Sequence, residues 1–489
     1  MSKFLAIDLG TTGCRSIVFD QELHMLGDSY EEYGLIIPEE NQAEQDAGLW
    51  WSMTVRTMKE AIKVSGISGM EIVGISVSSQ GITVVPVDEN IKPLCNAISW
   101  LDIRAQEETK EIIRDFGHQA MFAITGKRID ACYTLPKILW LRKNRPDIFA
   151  KTWKLLLPME YLIGKLTGNC ISDHSMASGT LLYDIKKSCW SREILSNYGL
   201  PEDLLPELKW SGEIAGTVLP SLAAEIGLRE NCIVAVGAQD QRCASLGAGI
   251  KPGVMTISLG TSGAVCKVWN ECKLEEDSTI GWSAYVNEKS WVTEGVVNTA
   301  GACLRWLRDT LFPDLDYDLL NEKASQALAK GSNLMFFPYM NGPSCPTYMP
   351  DSQGCFYGMN LGTGKGEFAL AVMEGVAFQF RSLLEAMDAY GSVHTLVLFG
   401  GGGKSDLWCR IIAGVTGMKV TVPETAEAAG AGAAICAGIA AGDFSRYATP
   451  EIATARKYEP CEYQALYEAK YKKYRMLEGR MWPIQEVSL

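Results

Sequence analysis

The chain has 489 residues, with 45 Lys and Arg against 58 Asp and Glu, a formal charge of −13. That length exceeds one ordinary core and suits two domains, and an acidic balance spread along the chain argues against nucleic acid or an anionic membrane as the main partner. Fifteen cysteines without a Cys-x-x-Cys pair, and four histidines far apart in sequence, indicate free thiols in a reducing cytoplasm rather than a zinc site or a disulfide scaffold. In chain order, the first predicted element is Ala6-Ile7-Asp8-Leu9-Gly10-Thr11-Thr12-Gly13 with a second apolar stretch over 14–19, which reads as strand, tight turn, strand. Asp8 interrupts the apolar run, so no secretory signal is expected. Asp46 is placed to cap a helix whose Trp51, Val55, Met58 and Ile62 follow helical spacing. A strand over 72–77 then enters the polar turn Ser78-Ser79-Gln80-Gly81, a natural ligand position, and 84–87 returns as a strand.

An amphipathic helix is expected over 135–141, and the apolar strand beginning at Ile233 ends in Gly237-Ala238-Gln239-Asp240. The first domain is expected to cover 1–247 and the second 248–489. The second half opens with strands near 254–259, 281–286 and 291–293. Helices over 298–311 and 367–384 follow, and then a strand over 395–399 enters Gly400-Gly401-Gly402-Gly403. The Ala- and Gly-rich stretch 428–441 is too short to span a bilayer and reads as a tightly packed internal helix. Strand-rich starts followed by alternating helices give an α/β class in each half.

Thr256-Ile257-Ser258-Leu259-Gly260-Thr261-Ser262-Gly263 repeats the first hairpin. Glycines are expected to give such turns positive φ and leave backbone N–H groups uncovered, with the hydroxyls of Thr11, Thr12, Thr261 and Ser262 beside them. Taken singly, such a turn either holds phosphate oxygens or merely reverses the chain. Two of them suggest related domains facing each other across a polyphosphate. A Walker A loop is absent, because Gly403-Lys404-Ser405 would need glycine at the position of Leu398. Asp8, two residues before its turn, suits either a water-shelled Mg²⁺ or a turn-stabilising role. Asp240 ends an apolar run, where it serves either as base for an attacking hydroxyl or as a buried carboxylate satisfied by amides. The 400–403 glycines allow a flat ring against backbone or a plain helix-entry turn. Asp102 suits either sugar hydroxyls or an ion pair with Arg104.

With these residues in place the chain resembles the FGGY carbohydrate kinase family, most closely its xylulose kinase branch. The resemblance runs through both hairpins, Glu44-Gln45-Asp46, Gly237-Ala238-Gln239-Asp240, Pro338-Tyr339-Met340-Asn341-Gly342 and Gly401-Gly402-Gly403-Lys404-Ser405-Asp406. Its most specific part is the signature from Gly354-Cys355-Phe356-Tyr357-Gly358-Met359 through Glu367-Phe368 to Ala371-Val372-Met373-Glu374.

The resemblance implies two ribonuclease H-like domains of the actin, hexokinase and Hsp70 type, with ATP, Mg²⁺ and sugar between them. Carried over by position, Asp240 is the base, Gln80, Gly81 and Ile82 fall at the sugar, and Gln241 follows the base there; Asp102 joins the expected sugar contacts on its own residue reading. Thr11, Thr12, Arg15 and Thr261 fall near phosphates, and Gly301, Arg305, Gly402 and Asp406 near the nucleoside. Asp8 is implied at the metal, which Asp240, read from its strand-end position, is expected to help place. Xylulose kinases commonly carry Gln-Met-His-Gly where this chain has Gln80-Gly81-Ile82-Thr83, and the Arg-Glu pair of glycerol kinases is missing from the same loop. The reading is therefore a cytoplasmic ketopentose kinase, with other ketoses and polyols (L-xylulose, ribulose, erythritol, glycerol) as alternatives and an Hsp70-like ATP switch as the rival from another class. Its partners are ATP and a small sugar, with no nucleic acid and no membrane, and a homodimer is compatible with it.

Overall fold

The computed structural model describes residues 2–275, 278–460 and 463–482. Strands β1 (Lys3–Leu9), β2 (Gly13–Phe19) and β3 (Met25–Glu32) form an antiparallel meander, because tight turns join them. Helix α1 (Ala47–Ser65) follows, capped as expected by Asp46, whose Oδ1 accepts from the Gly48 and Leu49 amides at 2.8 and 3.3 Å. β4 (Ile72–Ser79) then lies parallel to β1, and after an edge strand β5 (Ile214–Thr217), β6 (Ile233–Gln239) lies parallel to β4. The six-stranded order is β5-β6-β4-β1-β2-β3. Helix α2 (Asp240–Gly247) leads out of β6.

The second half repeats this plan. β7 (Val254–Leu259), β8 (Gly263–Trp269), β9 (Gly281–Ala284) and β10 (Trp291–Val297) are joined antiparallel. After helices α3 (Gly301–Trp306) and α4 (Lys365–Ala386), β11 (Thr395–Phe399) lies parallel to β7. Then come α5 (Asp406–Thr416), β12 (Lys419–Pro423), α6 (Ala428–Ala441) and β13 (Thr454–Tyr458). The seven-stranded order is β9-β10-β8-β7-β11-β12-β13. Stripped of edge additions, β3-β2-β1-β4-β6 and β10-β8-β7-β11-β12 are one topology built twice. This is the duplicated α/β arrangement of the ribonuclease H-like class.

Alternation along β1 sets up both faces of the first sheet. Leu5, Ile7 and Leu9 share a core with Trp50, Met58 and Ala61 of α1, whereas Phe4 and Ala6 meet Ala431, Ala434 and Ala437 of α6. So α6, read from sequence with the observed bounds, lies late in the chain yet covers the first sheet. Two glycines let it do so. A β-carbon on Gly432 would stand 1.9 Å from the Cys243 carbonyl oxygen, and one on Gly247 would stand 2.0 Å from that of Ala428, so α2 and α6 cross with backbones in contact.

Two local expectations change. Gly10, Gly13, Gly260 and Gly263 are not among the positive-φ glycines. Gly13 and Gly263 are required instead by close approach, since β-carbons there would meet the Tyr30 ring at 2.5 Å and the Phe380 ring at 2.6 Å. The helix expected over 298–311 begins only at Gly301, because the Ala300 and Gly301 amides are drawn into the turn by the Thr261 and Gly260 carbonyls at 3.0 and 2.9 Å.

Candidate active site

The C-terminal ends of β1, β4 and β6 gather at one sheet edge. Asp8 on β1 is in register with Ser78 on β4, and Ser78 with Ala238 on β6, so Asp240 arrives at that edge as the first residue of α2. Ser78 Oγ donates to Asp8 Oδ1 at 2.9 Å. Asp240 Oδ1 accepts from the Gln241 amide at 2.7 Å and from Gln239 Nε2. Burial pushes the Asp240 carboxyl up to about 7, helped by the neighbouring Asp8 charge and opposed by the Gln241 amide. Burial likewise lifts Asp8 to about 6 against the Ser78 hydrogen bond. Two carboxylates at one edge, the charge of Asp8 raising Asp240, make an oxygen donor set that fits a hydrated divalent cation.

Asp240 opens into a cavity of about 370 Å³ between the two halves. The first half contributes Thr11, Gln80, Gly81, Ile82 and Gln241, and the second contributes Ser262, Ser283 and Glu294. Gln80 is held by Gln45: Gln80 Nε2 donates to Gln45 Oε1 at 2.8 Å, while Gln45 Nε2 donates to the Thr11 carbonyl at 2.7 Å. One relay therefore ties the polar loop to the first hairpin. Ile82 has φ of +55°, a left-handed conformation that a β-branched residue adopts only at a cost of about 1–3 kcal/mol. Thr134 Oγ1 donates to its carbonyl at 3.1 Å and helps to hold it.

Asp102 does not join them. It is fully buried, accepts from the Ala43 amide at 2.6 Å and from Arg104 Nε at 2.8 Å, and does not line the cavity. Of the two roles its sequence allowed, the structure builds the ion pair, buried rather than on the surface, because the Trp100 to Arg104 turn folds back beneath the 41–43 segment.

Of the residues expected at the nucleotide, Gly301, Arg305 and Gly402 pack against the second hairpin. Arg305 Nη2 donates to Thr261 Oγ1 at 3.2 Å, and Gly301 abuts the Gly260 carbonyl so closely that a β-carbon would stand 2.3 Å from its oxygen. Gly402 packs on Leu259, where a β-carbon would meet Cγ at 2.2 Å. Asp406 accepts from Arg456 Nη1 at 2.5 Å and from the Tyr458 hydroxyl. On the other side Thr12 is exposed at the first turn. Arg15 is already engaged, at 2.7 Å from Asp28 and 3.4 Å from Glu427, which precedes α6.

Other cavity residues escaped the sequence reading. Arg242 and Glu294 form a 2.6 Å ion pair from opposite halves, and Lys127 donates to Ser283 Oγ at 3.0 Å. Glu294 interrupts the apolar run Trp291–Val297, the same signal that marked Asp240. Lys127 carried no signal, since a Lys-Arg pair following a glycine reads as an exposed loop. A second cavity of about 540 Å³ adjoins the first, sharing Trp100, Lys127, Tyr133, Glu294 and Val296. A separate cavity of about 280 Å³ beside Leu246 contains none of the expected site residues.

Residues 3–247 match the N-terminal domain of the FGGY family of carbohydrate kinases, and residues 255–441 match its C-terminal domain. The xylulose kinase of Bacillus subtilis (strain 168) is 32% identical over 447 residues, 91% of this chain and 89% of that one. The gluconokinase of the same strain is 29% identical over 493 residues, covering 97% and 94%. Among solved structures, a "xyloylose kinase" from Brucella ovis superposes with a TM-score of 0.90 at 30% identity, covering 99% of this chain and all of that one (100%).

Proposed function

Since the chain belongs to the FGGY family of carbohydrate kinases and is a sugar phosphotransferase, we propose that it moves the γ-phosphoryl group of MgATP to a hydroxyl of a ketopentose, with Asp240 as general base. The observation that carries this reading is the position of Asp240: at a sheet edge, beside the Gln80 loop, and facing Ser262 of the second hairpin across one cavity. A carboxylate lifted to about 7 is matched to proton transfer near neutral pH. It accepts the hydroxyl proton as the oxygen attacks. Gln80, Gly81, Ile82 and Gln241 orient the sugar, and the two hairpins with Arg305 hold the phosphate chain. Asp8, together with Asp240, would hold Mg²⁺, which when bound supplies charge neutralisation at the phosphates.

The missing Arg-Glu pair argues for a ketose over glycerol. An aldonate acceptor is the second reading, favoured by the Lys127 ammonium in the cavity wall and by the gluconokinase relative. The test is coupled ADP release with D-xylulose, L-xylulose, D-ribulose, L-ribulose, erythritol, glycerol and gluconate side by side. A ketopentose should give the highest kcat/KM. A higher value for glycerol or gluconate overturns the ketopentose assignment, and slow turnover that no sugar stimulates overturns the catalytic one.

A further inference from the structure

Where the two cavities join, the Lys127 ammonium keeps N–H donors that no protein group takes up among the described residues. The Lys127 ammonium has three N–H donors, and its one hydrogen bond among the described residues goes to Ser283 Oγ. Arg242 is also almost fully buried; its Nη2 serves Glu294 at 2.6 Å and Ser283 at 3.3 Å, yet its Nε has no partner among the described residues. Glu294 accepts from Arg242 through Oε2. The unused Lys127 donors border open cavity space that the lone pairs of an acceptor can enter, whereas the Arg242 Nε is enclosed by protein.

The lysine is also held in position. The Gly126 carbonyl, one residue before it, accepts from the Trp282 amide of the other half at 3.0 Å, and the Lys127 amide donates to Thr125 Oγ1 at 3.1 Å. Gly281 leaves room for the side-chain end, since a β-carbon there would stand 3.2 Å from Nζ. Burial lowers the ammonium to about 8, with Arg242 adding to the shift and Glu294 opposing it, so it is still mostly charged at pH 7. Gln80, Gly81, Ile82 and Asp240 line only the first cavity, whereas Lys127 and Glu294 line both. Lys127 therefore stands on the side of the acceptor cavity that opens into the second chamber.

We propose that Lys127, steadied by Ser283 and the Arg242–Glu294 pair, is a specificity-determining residue that binds an sp² oxygen of the acceptor, the carbonyl of a ketose or the carboxylate of an aldonate. This rests on the kinase reading with Asp240 as base and deepens it. A hydroxyl accepts less well and brings a proton that must itself be satisfied. The enzyme therefore separates carbonyl-bearing acceptors from polyols of equal length.

The test is a pair of ratios. For wild-type enzyme at pH 7, kcat/KM is measured for xylulose against xylitol and for gluconate against glucitol. The sp² member of the better-used pair should lead by roughly 10- to 100-fold, the worth of a hydrogen bond to a charged group. In Lys127→Met that ratio should collapse to within about threefold, mainly through KM, while the KM for ATP stays within about twofold. A wild-type ratio near one overturns the proposal without any variant, and so does a Lys127→Met enzyme that keeps the wild-type ratio. If gluconate is the best acceptor, the ketopentose reading fails, while the assignment of Lys127 is decided by the gluconate-to-glucitol ratio.

Discussion

Gly432 and the Cys243 carbonyl are in backbone contact: a β-carbon on the glycine would stand 1.9 Å from that oxygen. Cys243 lies three residues after Asp240 on the same helix, so the proposed base is positioned by how closely α6 approaches α2. Gly432→Ala must push the helices apart. It should cost about 1–3 kcal/mol of stability and lower kcat at least roughly tenfold, because a small misplacement of the base is expensive. Thermal unfolding and steady-state kinetics check this. An alanine variant with unchanged Tm and kcat would show that the crossing has slack.

Asp240→Asn should reduce turnover by roughly 10²- to 10⁴-fold while nucleotide affinity holds within a few-fold, since the lost group acts on the acceptor's proton. Isothermal titration with ATP and single-turnover phosphoryl transfer separate the two effects. Near-normal turnover would remove Asp240 from the mechanism.

The raised Asp240 pKa has two opposite consequences. As a base it must be ionised, so kcat/KM should fall about tenfold per pH unit below about 7. For stability, a carboxyl whose folded pKa lies above its unfolded value favours the fold while protonated and loses that contribution as pH rises from near 4 through about 7. Without metal, Asp240→Asn should therefore melt higher than wild type at pH 8, with the gap closing toward pH 4. Equal melting curves at pH 8 would mean the carboxylate is compensated in the fold.

Asp8→Ala should raise the Mg²⁺ concentration needed for half-maximal activity by about tenfold or more and lower turnover, because one of two carboxylate donors is gone. Titrating Mg²⁺ at saturating ATP and sugar reads this. An unchanged midpoint would leave Asp8 with only its Ser78 hydrogen bond to explain it.

Gln80→Ala should raise the KM for sugar roughly 10-fold or more with little change for ATP, since it strips a polar group from the acceptor cavity and cuts the relay from Gln45 to the first hairpin. Equal losses for both substrates would assign Gln80 to the fold rather than to the sugar.

The sequence was most legible where a signal is local. The strands Val254–Leu259 and Thr395–Phe399 and the helix Ala428–Ala441 have the expected bounds, because each is an apolar run ended by glycine or a polar turn. Composition told that the last of these packs tightly, but not that it packs on the sheet of the other half. That partner follows from tertiary crossing, which no window of sequence contains. The hairpin glycines were found for an incomplete reason: Gly13 and Gly263 make room for the Tyr30 and Phe380 rings, residues distant in sequence.

Site residues divide along the same line. Asp8, Gln80 and Asp240 sit at strand ends, where charge or amide after an apolar run is conspicuous, and the fold brings them to one edge. Lys127 and Asp102 depend on burial. A Lys-Arg pair after a glycine reads as exposed and an Asp-x-Arg as a surface pair, yet Lys127 and Asp102 are enclosed by segments that arrive from elsewhere in the chain.

The position of α6 also bears on how the molecule is made. On the ribosome the strands of the first sheet are complete once Gln239 has emerged, but the face bearing Phe4, Ile17 and Phe19 stays uncovered until Ala441 follows. At common elongation rates that is a wait of roughly 10–40 s for about two hundred residues. The nascent chain carries an open apolar sheet throughout, and a fragment truncated before residue 428 would carry it permanently.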